Sequence, residues 1–422
     1  MKEQESYLPG TKVIDERRKE AMEHFQKLGI PGKRAEDYKY SHVEKLFSVD
    51  VEFDLPETIS PDPSVEKYVV PGLDCFLFVL VNGKFSAKLS QISSDNELQI
   101  GSLREAFVNG DKNLDTHFDS LAGSAGEAFA ALNTTFAEDG AYIHVKAGTI
   151  VSKPVHILSL ITDPGKTLLQ PRHFIHCEKN SALEIFESSI SVKGEEFIMN
   201  SLAEVIVEEN ARVHYYKLQN EGGAGSHICN TYARVGKSGH FDTNTVILNG
   251  AWIRNNLRIA LDARNCESHL NGLFITNGTQ HVDNNTLVDH RFPDGQSNQL
   301  YKGILSGKST GVFNGKIFVK KDAQKTNAYQ SSKNILLSDE ATINAKPQLE
   351  IYADDVKCSH GSSTGKIDEE ALFYLRSRGL SEDSARRLLL SAFANDVLST
   401  IKVEAIRNYL EELVISRLEK LS

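Results

Sequence analysis

Apolar and polar residues alternate over a long central part of the chain. From about Ala141, apolar residues recur at every second position, as in "LEIFES" (183–188), "VHYYKL" (213–218) and "FDTNTVIL" (241–248). A period of two is the pattern of β-strands, whose successive side chains point to opposite faces. We therefore predict a mainly β protein, with a central domain of strands and turns over residues 136–366.

A weak repeat runs through this central domain. Segments that open with a polar turn residue and continue as a strand begin at Asn180, Asn210, Ser238, Asn265 and Ser297, in steps of about 30, 28, 27 and 32 residues. Such a period suits one coil of a parallel β-solenoid, in which each coil buries its apolar face against its neighbours. A β-sandwich or an antiparallel barrel is the alternative. The solenoid predicts that the three asparagines occupy equivalent turns.

The residues before the central domain favour helices. The pattern predicts a helix over 16–32, a second short helix over 34–47 and another over 127–136. "FLFVLVNGKFS" (76–86) predicts a β-hairpin that turns at Asn82 and Gly83. We expect residues 1–135 to form a helix-rich N-terminal domain with one short hairpin.

The residues after the central domain predict three helices. Asp368 and Ser381 can cap the first two, and Gly379 ends the first. Apolar residues then recur at helical spacing, and the first stripe holds Leu389, Phe393 and Val397. Such a stripe is typical of core packing, and it also suits the docking of a partner. We predict a helical C-terminal domain over residues 367–422.

Composition and charge exclude several classes of protein. A net charge of −10 argues against nucleic acid as a partner, since a phosphate backbone needs a basic face. The start "MKEQESYLPG" lacks the apolar stretch of a signal peptide, and the run "CFLFVLV" (75–81) is too short to span a membrane. The five cysteines form no CxxC pair, which fits a reducing compartment. We expect a cytoplasmic protein.

Motifs of nucleotide binding and hydrolysis fail on spacing. "GILSGKS" (303–309) has three residues between its glycines, whereas the phosphate-binding loop needs four. The chain has neither GxSxG nor HExxH. In "HFIHC" (173–177), His173 and Cys177 would share one face of a strand and His176 would lie on the other, which splits a ligand set. We expect no ATP binding and no enzymatic activity.

One segment, "DDVKCSHGSSTGKID" (354–368), carries candidate chemistry. Cys358 and His360 would lie on the same face of a strand, about 6.5–7 Å apart at Cα. Both side chains are ligands for a soft or borderline metal, and a second chain would have to complete the set. A nucleophile with its base, or an ordinary strand end, would give the same spacing. The residues alone leave these alternatives open.

Two long segments resemble a known family. "DAQKTNAYQSSKNILLS" (322–338) and residues 343–393, together with "VNGKFS" and "GIPGKRAEDYKY", are similar to the SUF-system iron–sulfur cluster assembly scaffolds of the SufB/SufD family. The resemblance covers nearly the whole chain and is densest over 297–393. "CSHG" followed by "GKIDEEALFYLRSRG" resembles the SufD type more than the SufB type.

The resemblance implies a fold, two partners and a site. The fold would be a right-handed parallel β-helix flanked by helical terminal domains. The end of the β-helix would pair with a SufB-type paralogue, and the C-terminal helices, with Leu389, Phe393 and Val397, would dock a SufC-type ABC ATPase. His360 matches a family histidine at the partner interface, so His360 and its neighbour Cys358 become candidate ligands of a transient iron–sulfur cluster. Homodimer formation by the isolated chain and a flavin in the complex stay open.

Two rival functions remain at this point. One is a purely structural adaptor that joins the paralogue and the ATPase without a ligand role. The other is a β-helix enzyme that acts on polysaccharide, which would need clustered acids or a groove of aromatic residues. The acid pair Asp354 and Asp355 is isolated, and Trp252 is the only tryptophan. The sequence therefore favours the scaffold over the enzyme.

Overall fold

The computed structural model describes residues 12–32, 34–47, 64–123, 126–162, 167–194 and 196–421. Within the N-terminal part of these residues, the helices are α1 (Lys12–Leu28), α2 (Leu103–Val108), α3 (Lys112–His117) and α4 (Ala128–Phe136). The strands are β1 (Phe76–Val81), β2 (Lys84–Phe85) and β3 (Leu98–Ser102). The helices predicted over 16–32 and 127–136 and the hairpin of β1 and β2 are confirmed.

The second predicted helix, over 34–47, is wrong. This segment forms only two single 3-10 turns, Glu36–Tyr38 and Val43–Lys45. Ser41 lies between them and hydrogen-bonds to Asp283 and His281 of the central domain. These contacts hold the segment against the sheet in an irregular conformation, so it does not form a continuous helix.

Strands β4 to β20 form the central domain, and α5 to α7 follow them. The strands are β4 (Ala141–Val145), β5 (Val155–Ile161), β6 (Leu168–Leu169), β7 (Arg172–Cys177), β8 (Ala182–Ser191), β9 (Phe197–Val207), β10 (Arg212–Asn220), β11 (Gly225–Val235), β12 (His240–Asn249), β13 (Trp252–Leu261), β14 (Glu267–Thr276), β15 (His281–His290), β16 (Gln296–Leu305), β17 (Thr310–Val319), β18 (Asn327–Leu336), β19 (Thr342–Ile351) and β20 (Lys357–Gly365). The helices are α5 (Glu369–Ser377), α6 (Glu382–Leu398) and α7 (Glu404–Glu419).

These strands form the predicted parallel solenoid. One sheet has the order β2-β1-β5-β8-β10-β12-β14-β16-β18-β20, and the other runs β19-β17-β15-β13-β11-β9-β7-β4-β3, with β6 paired to β9. From β8 onward, successive strands alternate between the two sheets, so that two strands make one coil. The inward side chains of both sheets share one apolar core, which includes Ile185, Val213, Phe241 and Phe313. The prediction of a parallel β-helix is confirmed.

The repeat corresponds to a ladder of turns. Asn180, Asn210, Ser238, Asn265, Asp294 and Lys325 all have positive φ. Each donates its backbone N–H to a carbonyl of the next coil, for example Asn180 to Glu209 at 2.9 Å. Asn210 Nδ2 also donates to Asn180 Oδ1 at 3.1 Å. Asparagine suits these turns because it tolerates the left-handed conformation better than most residues.

The ladder confirms the predicted equivalence of Asn180, Asn210 and Asn265, but it corrects the last repeat. The fifth unit starts at Asp294 and not at Ser297, because Asp294 is the residue with φ of 63°. Ser297 instead points inward from β16, where it is 3% exposed.

The terminal helices cover opposite faces of the solenoid. α1 to α4 lie on the sheet that contains β7, β9 and β11. α6 and α7 lie on the other sheet and share an apolar core with its outer face. The predicted caps are confirmed, since the Asp368 side chain accepts from the N–H groups of Glu370 and Ala371, and Ser381 accepts from Ser384. None of the helices in the described ranges is long and apolar enough to cross a membrane.

The two ends of the solenoid differ. At the first end, β2 pairs with β1 and β3 pairs with β4, and both pairings are antiparallel. At the last end, β19 and β20 are the outermost strands of their sheets. Each has a strand partner on one side only among the described residues. We call this last end the open end; it carries the segment singled out in the sequence.

Candidate functional site

The candidate site lies on β20, at the open end. β20 pairs in parallel with β18, and the register places Cys358 beside Ala328 and His360 beside Gln330. Ala328 and Gln330 are buried, which identifies the inward face of β18. Cys358 and His360 therefore share the inward face of β20, as the sequence predicted. Among the described residues no further coil covers them, and His360 is exposed.

Cys358 is partly buried by the last apolar cluster of the solenoid. Its side chain packs against the apolar cluster that contains Ile317 and Val319 of the opposite sheet. Burial raises the pKa of the thiol above its ordinary value. The free chain thus holds Cys358 as a protonated thiol, and a metal would have to displace that proton.

A line of inward-facing polar side chains leads up to His360. Gln299, Gln330 and His360 are register neighbours on β16, β18 and β20. Gln330 Nε2 donates to Gln299 Oε1 at 3.1 Å, and Thr286 Oγ1 donates to the same oxygen at 2.8 Å. The imidazole therefore stands at the end of a polar row inside an otherwise apolar core.

The donor atoms fit a shared metal site better than a complete one. Within the described ranges, no three His, Cys, Asp or Glu side chains are placed to hold a metal ion together. One thiol and one imidazole on the same strand face supply two ligands of the kind that iron and zinc accept. A cluster held at Cys358 and His360 would take its remaining ligands from another molecule.

The other cysteines and "HFIHC" do not add to this site. All five cysteines are free thiols. Burial lowers the pKa of His173 to about 4 and raises that of Cys177 to about 12, so both stay neutral inside the core. His176 lies on the outer face, with Nε2 3.1 Å from Glu208 Oε1. The predicted split of these residues between two faces is confirmed.

A buried cluster of charged residues was missed in the sequence. Lys217 Nζ lies 2.8 Å from Cys229 Sγ and 3.1 Å from Glu187 Oε2 between the sheets. Burial opposes ionisation of Cys229, but Lys217 and His227 outweigh it and hold the thiol pKa below its ordinary value. The signal was the charged residue at an inward position of "VHYYKL", where the alternation alone predicts an apolar side chain.

The predicted docking stripe on α6 faces the solenoid. Val397 is fully buried, and Leu389 and Phe393 are partly buried against the same apolar cluster. Lys302 of β16 reaches this stripe, donates to the Phe393 carbonyl at 2.9 Å and pairs with Asp396. The stripe was expected either to pack in the core or to dock a partner, and Val397 packs in the core.

The opposite face of α6 and α7 forms a shallow apolar groove of about 280 Å³. Leu388 and Ile415 are about half exposed there, at 50% and 48%. We call it the α6–α7 groove; its lining residues are Leu388, Ser391, Ala392, Asn395, Leu398, Glu411, Val414 and Ile415.

The fold and the open end define a parallel β-solenoid protein with helical ends. Two family models match it: the SUF system FeS cluster assembly, SufBD core domain over residues 160–393, and the SufBD protein N-terminal region over residues 3–157. The chain belongs to the SufBD family of iron–sulfur cluster assembly proteins.

Curated relatives agree with this family. An iron–sulfur cluster assembly SufBD family protein of Synechocystis is 31% identical, over 96% of this chain and 91% of that protein. The iron–sulfur cluster assembly protein SufD of Escherichia coli is 29% identical, over 92% and 90%. The chloroplastic protein ABCI7 of Arabidopsis thaliana is 32% identical, over 69% and 62%. The resemblance seen in the sequence is confirmed.

Proposed function

We propose that this chain is the SufD-type scaffold subunit of a complex that assembles nascent iron–sulfur clusters. A SufB-type paralogue and a SufC-type ABC ATPase would complete the complex. The observation that carries the proposal is the open end. There Cys358 and His360 lie on the inward face of the last described strand, and His360 is exposed. The chain itself would have no enzymatic activity, and the transient cluster would be its cargo.

The open end supplies the surface for a SufB-type partner. In the part of the chain that the structure describes, β19 and β20 each have one unpaired edge to which a strand could be added. An exposed strand edge is a template for pairing with another chain, and the backbone hydrogen bonds would extend both sheets across the interface. A partner solenoid placed there would bury the inward face of β20.

A ligand role explains the site better than a catalytic dyad. A Cys–His nucleophile needs an activated thiolate, whereas burial raises the pKa of Cys358. A ligand pair requires only that both donors lie on one accessible face, and the register of β20 puts both on the same face. We assign His360 as the principal ligand and Cys358 as the secondary one.

The test is His360→Ala in the complex purified with both partners. Folding and assembly should be unchanged, because an exposed imidazole contributes little to the core, while iron and sulfide content should fall roughly tenfold. Cys358→Ala should have a milder effect. Ser359→Ala, on the outer face of the same strand, is the matched control. Normal iron and sulfide in His360→Ala complexes would support the structural-adaptor alternative instead.

For the ATPase we propose a revised surface. Docking by Leu389, Phe393 and Val397 would require α6 to leave the solenoid, since these residues pack against it. The α6–α7 groove, with exposed Leu388 and Ile415, can receive an apolar side chain without unfolding anything. The C-terminal helices therefore keep the docking role, and their outer face carries it.

A further inference from the structure

The buried amide of Gln330 has one oxygen without a partner. Gln330 is 3% exposed, and its Oε1 makes no hydrogen bond. A buried carbonyl left unsatisfied costs about 1–3 kcal/mol, so such atoms normally have a partner. The orphan acceptor lies one strand away from His360 on the same inward face.

A hydrogen bond to Gln299 of β16 orients the Gln330 amide. Gln299 Oε1 accepts from Thr286 Oγ1 at 2.8 Å and from Gln330 Nε2 at 3.1 Å. In this arrangement Gln299 presents an acceptor and Gln330 turns its NH2 group toward β16, while the Gln299 Nε2 is also without a partner. The Gln330 oxygen is then the atom left for a donor on the β20 side.

The side chain is also confined laterally. Gly315 of β17 lies opposite, and a Cβ added there would collide with the amide of Gln330. The missing side chain of Gly315 thus leaves the space that the amide occupies. The acceptor beside His360 is held by packing as well as by hydrogen bonding.

We propose that Gln330 positions His360 by accepting a hydrogen bond from one imidazole nitrogen, so that the other nitrogen faces the partner chain as a lone-pair donor. In the structure the imidazole makes no hydrogen bond to this oxygen. Adjacent parallel strands lie about 4.8 Å apart, so rotation of the exposed His360 side chain would bring the ring within reach of the amide. Histidine ligands of metals commonly donate their second N–H to such an acceptor, which selects the tautomer and fixes the ring. This inference rests on the proposed ligand role of His360.

The test uses the isolated full-length chain with 15N-labelled histidine. The signals of His360 are assigned by their loss in His360→Ala, and two-bond 15N–1H spectra report the tautomer. The parent should show one tautomer in at least roughly tenfold excess. Gln330→Met, which keeps the length without the acceptor, should reduce this excess to a mixture.

Two further variants separate positioning from stability. Gly315→Ala leaves Gln330 intact but displaces its amide, and it should alter the His360 tautomer as Gln330→Met does. Ser332→Ala, at the next inward position of β18, should leave the tautomer unchanged. Identical His360 tautomer spectra in the parent and in Gln330→Met, with the fold intact, would overturn the proposal.

Cluster retention then tests the ligand role separately. In complexes with both partners, Gln330→Met should lower iron content by roughly threefold, less than His360→Ala does. A tautomer that depends on Gln330, with normal iron in His360→Ala complexes, would keep the positioning inference and refute the ligand assignment.

Discussion

At the scale of single residues, burial decides the charge of two histidines of the central strands. Burial lowers the pKa of His156 to about 3 and that of His290 to about 4. His156 Nε2 lies 2.8 Å from Ser188 Oγ, and His290 Nε2 lies 2.9 Å from Ser297 Oγ. Both residues are therefore neutral in the folded chain throughout the physiological range.

These histidines predict a loss of stability in mild acid. The histidines bind protons near pH 6.5 in the unfolded chain and only near pH 3 to 4 in the folded chain. Their contribution to the free energy of unfolding is therefore complete above pH 6.5 and falls as the pH drops. For one such group, the loss by pH 5 is about 2 kcal/mol. His290→Gln should flatten the dependence of the unfolding free energy on pH between 6.5 and 5, as measured with urea.

Above pH 7.5 the effect of His290→Gln should not vary with pH, because the imidazole is neutral in both states. A variant with the same slope as the parent below pH 6.5 would show that His290 does not titrate on unfolding.

At the scale of elements, the turn ladder contains one residue that does not suit it. Lys325 has φ of 61° and is exposed, while three other positions of the ladder are asparagines. A left-handed conformation costs about 1–2 kcal/mol for most L residues and less for asparagine. The ladder bond from Lys325 N–H to the Asp355 carbonyl, at 2.6 Å, comes from the backbone and survives substitution.

Lys325→Asn should therefore stabilise the chain by about 0.5–1 kcal/mol. The measurement is the midpoint of urea unfolding at constant pH. Lys321→Asn removes the same charge from an exposed position without positive φ, and it should change the midpoint little. Equal effects of the two substitutions would attribute the gain to charge and not to the backbone.

The spacing of apolar residues predicted most of the strands and helices, but it missed one turn and predicted one helix that does not form. Alternation identified the strands because each coil buries one face, and asparagine identified the turns at 180, 210 and 265. Asp294 was missed because Ser297 and Asn298, three residues later, also fit the pattern of a polar turn residue followed by a strand. The helix predicted over 34–47 failed because contacts of Ser41 with a distant strand decide its path.

The candidate site was predictable only in part. The spacing of Cys358 and His360 correctly placed both on one strand face. The roles of Gln330 and Lys302 were not predictable, because polar residues occur on both faces of these strands and only the fold shows which are buried. Likewise, helical spacing identified the stripe on α6 but not the surface that covers it.

At the scale of the whole molecule, the C-terminal helices and the candidate site share one sheet. α6 and α7 pack on the sheet that ends in β20, and the N-terminal helices pack on the other. Lys302 secures α6 to this sheet, with Nζ 4.2 Å from the centre of the Phe393 ring. A protein bound in the α6–α7 groove would therefore contact helices that pack directly on the sheet that carries His360.

The proposed docking of a SufC-type ATPase in the α6–α7 groove can be tested by mutation. Leu388→Glu combined with Ile415→Glu should weaken binding of a SufC-type ATPase roughly tenfold or more, because buried apolar contacts dominate such interfaces. Binding is measured by titration with the purified ATPase. Phe292→Glu alters a comparably exposed apolar side chain, at 44%, on a turn of the solenoid and serves as the control.

Both exposed positions in the groove should tolerate glutamate, so an unchanged melting temperature is expected. Full-strength ATPase binding by the folded double variant would exclude the α6–α7 groove. Deletion of the helices is a poorer test, since it would uncover Leu218, Val246 and Leu273 on the sheet.

The difference between the two ends of the solenoid limits how many chains can join. Strands stacked in parallel can in principle continue without end, as they do in fibrils, when both ends offer matching edges. Here the first end finishes with antiparallel β2 and β3, and the edges that continue the parallel stacking belong to β19 and β20. Two chains that meet through their open ends therefore leave no such edge for a third. If partners join through the open end, the feature that exposes His360 would also limit association to a pair of chains and would oppose polymerisation.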